Sequence, residues 1–292
     1  MITVPKISIV TPAYNSEKTI EATMLSVLQQ GYPNTEYIVV DGGSDDRTPK
    51  IIEQYADELH YWVSEPDNGM YDGLQKGFDK STGEIMGWLN SDDVHNPHTL
   101  AVVSQIFQDL PDVEWITSLY PVIKTPAGHP VDVIHLPGYH KTGFMRGEYS
   151  GVGKFIVGHI QQESTFWRRS LWEKAGGSLD TSLKLAGDFE LWMRFFQHAE
   201  LIGVRTVLGG ITRHPQQRSH LLSDVYVAEE HAIMHRYGGK RHTALSAGLR
   251  HLGRYLDRPF TRLLVAIGAR HETRIAVYSF RANTWYTKPA FV

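Results

Sequence analysis

The sequence predicts an α/β fold: a mainly parallel sheet flanked by helices, followed by a basic and mostly helical C-terminal extension. Three observations carry that prediction. Over the first 90 or so residues, short apolar runs alternate with stretches of helical period, the pattern of βαβ units. Polar, acid-rich segments close those runs at Asp41 and at residues 90–93, where an open parallel sheet presents its ligand site. Charge divides the chain: residues 1–212 hold 16 basic and 27 acidic groups, residues 213–292 hold 13 and 5.

The elements follow in order. Ile7-Ser8-Ile9-Val10 is a buried strand stopped by Thr11-Pro12. Asn15-Ser16 offers helix caps, and Ile20, Met24, Val27 and Leu28 recur on one helical face that Gly31 ends. Tyr37-Ile38-Val39-Val40 is a second strand. Thr48-Pro49 opens a helix with Ile51, Ile52, Tyr55 and Leu59 as its apolar side. Residues 60–63 form a third strand, Met70, Leu74 and Phe78 mark a third helix, and residues 84–89 a fourth strand. Residues 121–153 are rich in Pro, Gly and His and read as loops. Helices are expected over 166–175, 189–197, 225–237, 245–256 and 259–267.

Length and composition bound the class. A chain of 292 residues makes one large domain or two small ones. Hydrophobic residues at 41% and charged residues at 21% are those of a globular protein rather than a disordered or fibrous chain. Cysteine is absent, which excludes disulfides, zinc–thiolate sites and cysteine nucleophiles. The lack of a long apolar run or a leader-like start sets the expectation of a cytoplasmic enzyme. The basic tail suits an anionic surface or a solvated helical face. Arg250, Arg254, Arg258 and Arg262 would supply the charge if it rests on the inner face of the plasma membrane. The acidic body argues against nucleic acid.

Four segments carry candidate chemistry. Asn90-Ser91-Asp92-Asp93 puts adjacent carboxylates at a strand end, a costly pairing that a hard divalent cation relieves; an Asp-rich turn or helix cap is the other reading. Asp188, in Gly187-Asp188-Phe189-Glu190-Leu191-Trp192, is a general base or a helix cap. Glu65-Pro66-Asp67-Asn68-Gly69-Met70-Tyr71-Asp72 runs into a helix carrying Lys76, which suits a phosphate or an ordinary turn. His214, in a Pro-broken basic loop, is a metal or diphosphate ligand or a surface histidine.

Together these segments resemble glycosyltransferase family 2, inverting nucleotide-sugar enzymes with the GT-A, Rossmann-like fold. Val10-Thr11-Pro12-Ala13-Tyr14-Asn15 is similar to the family's opening strand and nucleotide loop, and Val39-Val40-Asp41-Gly42-Gly43-Ser44 to its base-binding turn. Ser91-Asp92-Asp93 is similar to its metal-binding DXD variant, and Gly187-Asp188-Phe189-Glu190 to the segment holding its base. Two positions depart: Gly42 stands where many members carry a second aspartate, and Thr212 where an arginine often precedes the loop histidine.

The resemblance implies a catalytic domain over residues 1–219, with a donor half to about 115 and an acceptor half from 116, before the 220–292 extension. It implies transfer of a sugar, from a UDP-sugar as first choice, to the hydroxyl of a saccharide or lipid-linked saccharide in bacterial cell-surface or exopolysaccharide synthesis. Asp188 would be the base. Asp93, Asp92 and His214 would hold Mn²⁺ or Mg²⁺. Thr11, Pro12, Ala13, Tyr14, Asn15, Asp41, Asp67, Lys76, Asn90, Ser91 and Asp92 would hold the donor, and Gln162, Trp167 and Glu190 would face the acceptor. A non-catalytic nucleotide-sugar-binding or scaffold protein on the same fold is the alternative. A dinucleotide oxidoreductase would need G-x-G-x-x-G after the first strand, which is absent.

Overall fold

Ile7, Ile9 and Val10 are wholly buried, and the strand they form runs further than Pro12 suggested. In the computed structural model, which describes residues 4–149, 157–214, 217, 221–240, 261–266 and 270–292, β1 spans Ile7–Ala13. It lies between β2 (Thr35–Asp41) and β4 (Ile85–Trp88), parallel to both. The β4 partner reaches only to Val10, so Pro12 sits where one side of the strand is already free and its missing N–H costs no ladder bond.

The alternation expected for the N-terminal part is present. Helix α1 (Ile20–Leu28) follows β1, α2 (Thr48–Glu53) follows β2, and α3 (Met70–Lys80) connects β3 (Tyr61–Ser64) to β4. Asn15 and Ser16 do not cap α1. Asn15 turns the chain in a left-handed conformation, and the Ser16 amide donates to Thr48 Oγ1 at 2.8 Å, joining two loops above the sheet.

After β5 (Val94–His95) come α4 (Thr99–Asp109), β6 (Trp115–Ser118), β7 (Val122–Lys124), β8 (Pro130–Val133) and α5 (Lys141–Phe144). The expected helix over 166–175 begins as a strand: β9 (Thr165–Arg168) precedes α6 (Arg169–Lys174). Phe166 and Trp167 enter opposite core layers, a two-residue period that only an extended chain satisfies. Then follow α7 (Gly187–His198), β10 (Leu201–Val204), β11 (Gly209–Thr212), α8 (Ser223–Arg236) and α9 (Thr261–Ala266). The expected helix over 245–256 lies outside the described residues, as do Arg250, Arg254 and Arg258.

The chain ends in two strands that the expected helical extension did not include. β12 (Glu272–Ser279) and β13 (Thr284–Phe291) form a hairpin turned by Asn283 in a left-handed conformation. β12 pairs in parallel with β10, so this hairpin is the edge of the main sheet. The nine strands run β13-β12-β10-β6-β9-β4-β1-β2-β3, parallel except for β9 and β13. A second sheet runs β5-β11-β7-β8. Helices α1, α2 and α4 cover one face of the main sheet; α3, α6, α7 and α8 cover the other. Loops leaving the carboxyl ends of β1, β2 and β4 open onto one cleft.

Candidate active site

The cleft has a volume of about 1760 Å³. Pro12, Ala13, Tyr14 and Asn15 line it from β1, Asp67 from the loop before α3, and Asn90, Ser91, Asp92 and Asp93 from the end of β4. Gln162, Asp188 and His214, all distant in sequence, complete it. Twelve of the expected site residues thus share one concavity.

At the floor, Asp93 is 3% exposed and Asp92 pairs with His214, whose Nε2 is 2.9 Å from Asp92 Oδ2. Asp93 Oδ1 accepts the Thr212 amide at 2.9 Å, which ties the end of β4 to β11. Burial pushes the Asp93 carboxyl well above the ordinary range, and the charges of Asp92 and Glu163 push it further. Glu163, also lining the cleft, is 2% exposed; burial, with Asp92 adding to it, raises its carboxyl to about 7. Asn90 Oδ1 and Gln162 Oε1 are buried acceptors without a donor among the described residues. Buried carboxylates, an imidazole and an orphaned amide oxygen suit a hard divalent cation. Among the described residues, however, no three acidic or histidine side chains converge closely enough to form a ready-made cage.

Asp188 occupies the first turn of α7, where free amides favour a carboxylate, and its Oδ1 accepts the Phe189 N–H at 2.8 Å. Burial nevertheless raises its carboxyl to about 6, with Glu229 contributing repulsion. Tyr71 packs its ring directly on Gly187: a Cβ there would lie 2.6 Å from the ring, so glycine permits the contact.

Gly42 has a physical counterpart. A Cβ at that position would come within 2.6 Å of Asp67 Oδ2, so the Asp67 carboxylate occupies the space a side chain on residue 42 would take. Burial raises the Asp67 carboxyl, while the Gly69 amide, donating to Oδ1 at 2.8 Å, opposes the rise.

Five expected contacts lie away from the cleft. Thr11 is fully buried against Tyr37, hydroxyl to hydroxyl at 3.0 Å. Asp41 is fully buried and accepts from the Ser44 amide at 3.0 Å and from the Ser64 hydroxyl at 2.6 Å, with Ser44 Oγ close to its other oxygen, so it braces the turn from beneath. Lys76 is drawn off by Glu65 at 2.8 Å. Trp167 is fully buried, its ring centroid 5.7 Å from Trp88 and 5.8 Å from Trp192. Glu190 is buried against Arg194 at 2.7 Å and the Tyr237 hydroxyl at 2.5 Å. In each case a nearer internal partner claims the group. The residues not anticipated are Glu163, Tyr226 and Glu229, while Tyr71 lies in the singled-out segment running into α3 without a role assigned to it. Glu163 directly follows the expected Gln162, whereas Tyr226 and Glu229 belong to a helix whose sequence carries no site signature.

The model of Glycosyl transferase family 2 matches residues 8–174. An uncharacterised glycosyltransferase of Rickettsia typhi is 30% identical over 210 residues, 69% of this chain and 64% of that protein, so the chain spans just under two thirds of that relative's length. One of Mycobacterium tuberculosis is 29% identical over 212 residues, 71% of this chain and 75% of its own. A Bacillus subtilis protein named for teichuronic acid biosynthesis, TuaG, is 36% identical over 92 residues, 30% of this chain and 36% of its own. Among solved structures, S. aureus TarS 1-349 in complex with UDP-GlcNAc superposes with a TM-score of 0.61 at 18% identity, covering 90% of this chain and 75% of that one. The mannosyltransferase PcManGT of Pyrobaculum calidifontis, in complex with GDP-Man and Mn²⁺, superposes at 0.57 with 20% identity, covering 92% and 81%.

Proposed function

The chain belongs to glycosyltransferase family 2, and from that premise we propose that it moves a sugar, with inversion, from a nucleoside-diphosphate sugar to an acceptor hydroxyl. The observation that carries the reading is that Asp188 and the Asp92–Asp93 pair line the same cleft, one on the α7 side and the other at the end of β4. Asp188 takes the proton of the acceptor hydroxyl as its oxygen bonds to the anomeric carbon. The bond from that carbon to the diphosphate oxygen breaks, and the electron pair leaves with the diphosphate. A carboxylate raised to about 6 is a better base near neutral pH than an ordinary aspartate.

The donor lies along residues 12–15 and Asp67. UDP is our first choice of nucleotide, supported by the UDP-GlcNAc bound to TarS. Asp92, Asp93 and His214 would hold Mn²⁺ or Mg²⁺, which when bound offsets the charge of the departing diphosphate. Asn90 Oδ1 and Gln162 Oε1, which have no donor among the described residues, would accept from sugar hydroxyls. A saccharide or lipid-linked saccharide of the cell surface is the acceptor class, supported by the likeness to TuaG. No helix among the described residues is long and apolar enough to cross a membrane, and the excess of basic groups in residues 213–292 supports a peripheral contact with anionic lipid.

The test is a thermal-shift screen of nucleoside diphosphates and their sugars with Mn²⁺, with Mg²⁺ and with EDTA. A nucleotide that stabilises the protein by mass action only when metal is present supports both the donor site and the metal ligands. Stabilisation undiminished in EDTA removes the metal, and no stabilisation by any donor removes the donor site.

A further inference from the structure

We propose that Glu229, on α8, is a positioning residue for Asp188, and that α8 is therefore part of the catalytic apparatus. The proposal rests on the reading of Asp188 as the base.

The segment 184–186 leads into α7 with three successive backbone N–H groups that all donate to one carboxylate. Lys184 N–H lies 2.7 Å from Glu229 Oε1, and the Leu185 and Ala186 N–H groups each lie 2.9 Å from Oε2. Bonds from amides to an ionised acceptor are among the stronger ones in a protein, and three on one side chain fix the peptide planes as well as their position. The same segment is held by Tyr71, whose hydroxyl donates to the Leu185 carbonyl at 2.7 Å. Ala186 then accepts the Glu190 N–H at 3.0 Å, the first turn of α7, so fixing residue 186 fixes the turn that carries Asp188.

Glu229 does not itself line the cleft; it acts through the backbone behind the base. Its neighbour on α8, Tyr226, does line the cleft. The groups facing Asp188 are Tyr71 from α3, Tyr226 and Glu229 from α8, and the Phe189 amide of its own helix. Of these, Glu229 is the one that pushes the Asp188 carboxyl up by repulsion. The clamp has a second consequence, because it keeps the base both aligned and protonatable. Apart from Tyr71, these residues lie beyond the ones that match the family model, which end at 174.

The experiment uses the full chain carrying Glu229→Gln, with Glu229→Asp as the second variant should the first fail to fold. Hydrogen exchange of the backbone amides is measured first, because it needs no substrate. Faster exchange confined to residues 184–190 is expected; unchanged exchange there overturns the clamp. With the donor found in the screen, kcat should fall about 10–100-fold, the cost of a misplaced catalytic group, with donor Kd unchanged. The acid limb of the kcat profile should move to lower pH in Glu229→Gln, because a negative charge behind Asp188 has gone. A variant with wild-type kcat, or one that loses donor affinity and kcat together, overturns the proposal. If the wild-type protein transfers no sugar, the reading of the cleft fails by itself, and the exchange result alone still decides whether Glu229 holds the segment.

Discussion

Asp92 and Asp93 follow the end of β4 and are tied at the cleft by the Thr212 amide, by the Thr23 hydroxyl on the Asp93 carbonyl and by His214 on Asp92. Asp188 reaches the same cleft from a helix start. Its helix starts where Tyr71, more than 110 residues upstream, and Glu229, about 40 downstream, grip residues 184–186. The first centre is polar, and its tension is burial with like charge added to it. The second is assembled from three helices, and its tension is a carboxylate kept in partly apolar surroundings. Both hold carboxyl groups above the ordinary range chiefly by burial, with Asp92 and Glu163 adding to it in the first and Glu229 in the second.

The largest effect is expected at Asp188. Asp188→Asn should lower kcat by about 10²–10⁴-fold, the range for losing a general base, and leave donor binding intact by calorimetry. In the wild type the rate should fall as pH drops below about 6, as Asp188 takes up its proton. Stability runs the other way. A raised folded-state pKa means that ionised Asp188 weakens the fold above pH 6, a penalty absent below about pH 4 where the group is neutral in both states. Asp188→Asn should therefore raise Tm at pH 7–8 by about 2–4 °C and leave it unchanged in acid. A drop in Tm at pH 8 would place the group in a different environment.

Asp93→Asn should lower kcat by about 10²–10³-fold, the cost of losing one strong stabiliser of developing charge. It should also abolish the metal-dependent part of the thermal shift. The amide oxygen can still accept from Thr212, so the fold without metal should not weaken. Metal-dependent stabilisation that survives in this variant would move the cation away from the β4 end.

Trp167→Ala tests the boundary between cleft and core. Removing a buried tryptophan from the cluster with Trp88 and Trp192 should cost about 3–5 kcal/mol in denaturant unfolding, with acceptor KM little changed for the protein that remains folded. A selective rise in acceptor KM would return Trp167 to the acceptor site. The smallest effect is expected at Lys76. Its pair with Glu65 is partly exposed, so Lys76→Ala should cost under about 1 kcal/mol and leave donor Kd alone.

The N-terminal part of the fold was largely legible in the sequence. β1 to β4 and the helices between them follow apolar runs and periods that local sequence states, and the acid cluster at residues 90–93 falls where a parallel sheet must end. Less of the remainder was legible. Phe166 and Trp167 read as helix because the two-layer core that requires alternation is built by residues far away. The terminal hairpin was missed because β12 finds its partner, β10, about seventy residues earlier. Thr11, Asp41, Lys76 and Glu190 have the residue types that the chemistry wants, but their internal partners belong to other segments, and pairing decides which polar groups remain free.

The sequence by itself determined the α/β class, the family, and a set of polar residues at strand ends, because periodicity and motif spacing are written within a few residues of each other. The tertiary structure alone decided which of those residues face the cleft and what holds Asp188 there. Backbone amides donate to whatever carboxylate the fold brings within 3 Å, and no local pattern in α8 says that Glu229 will be the one.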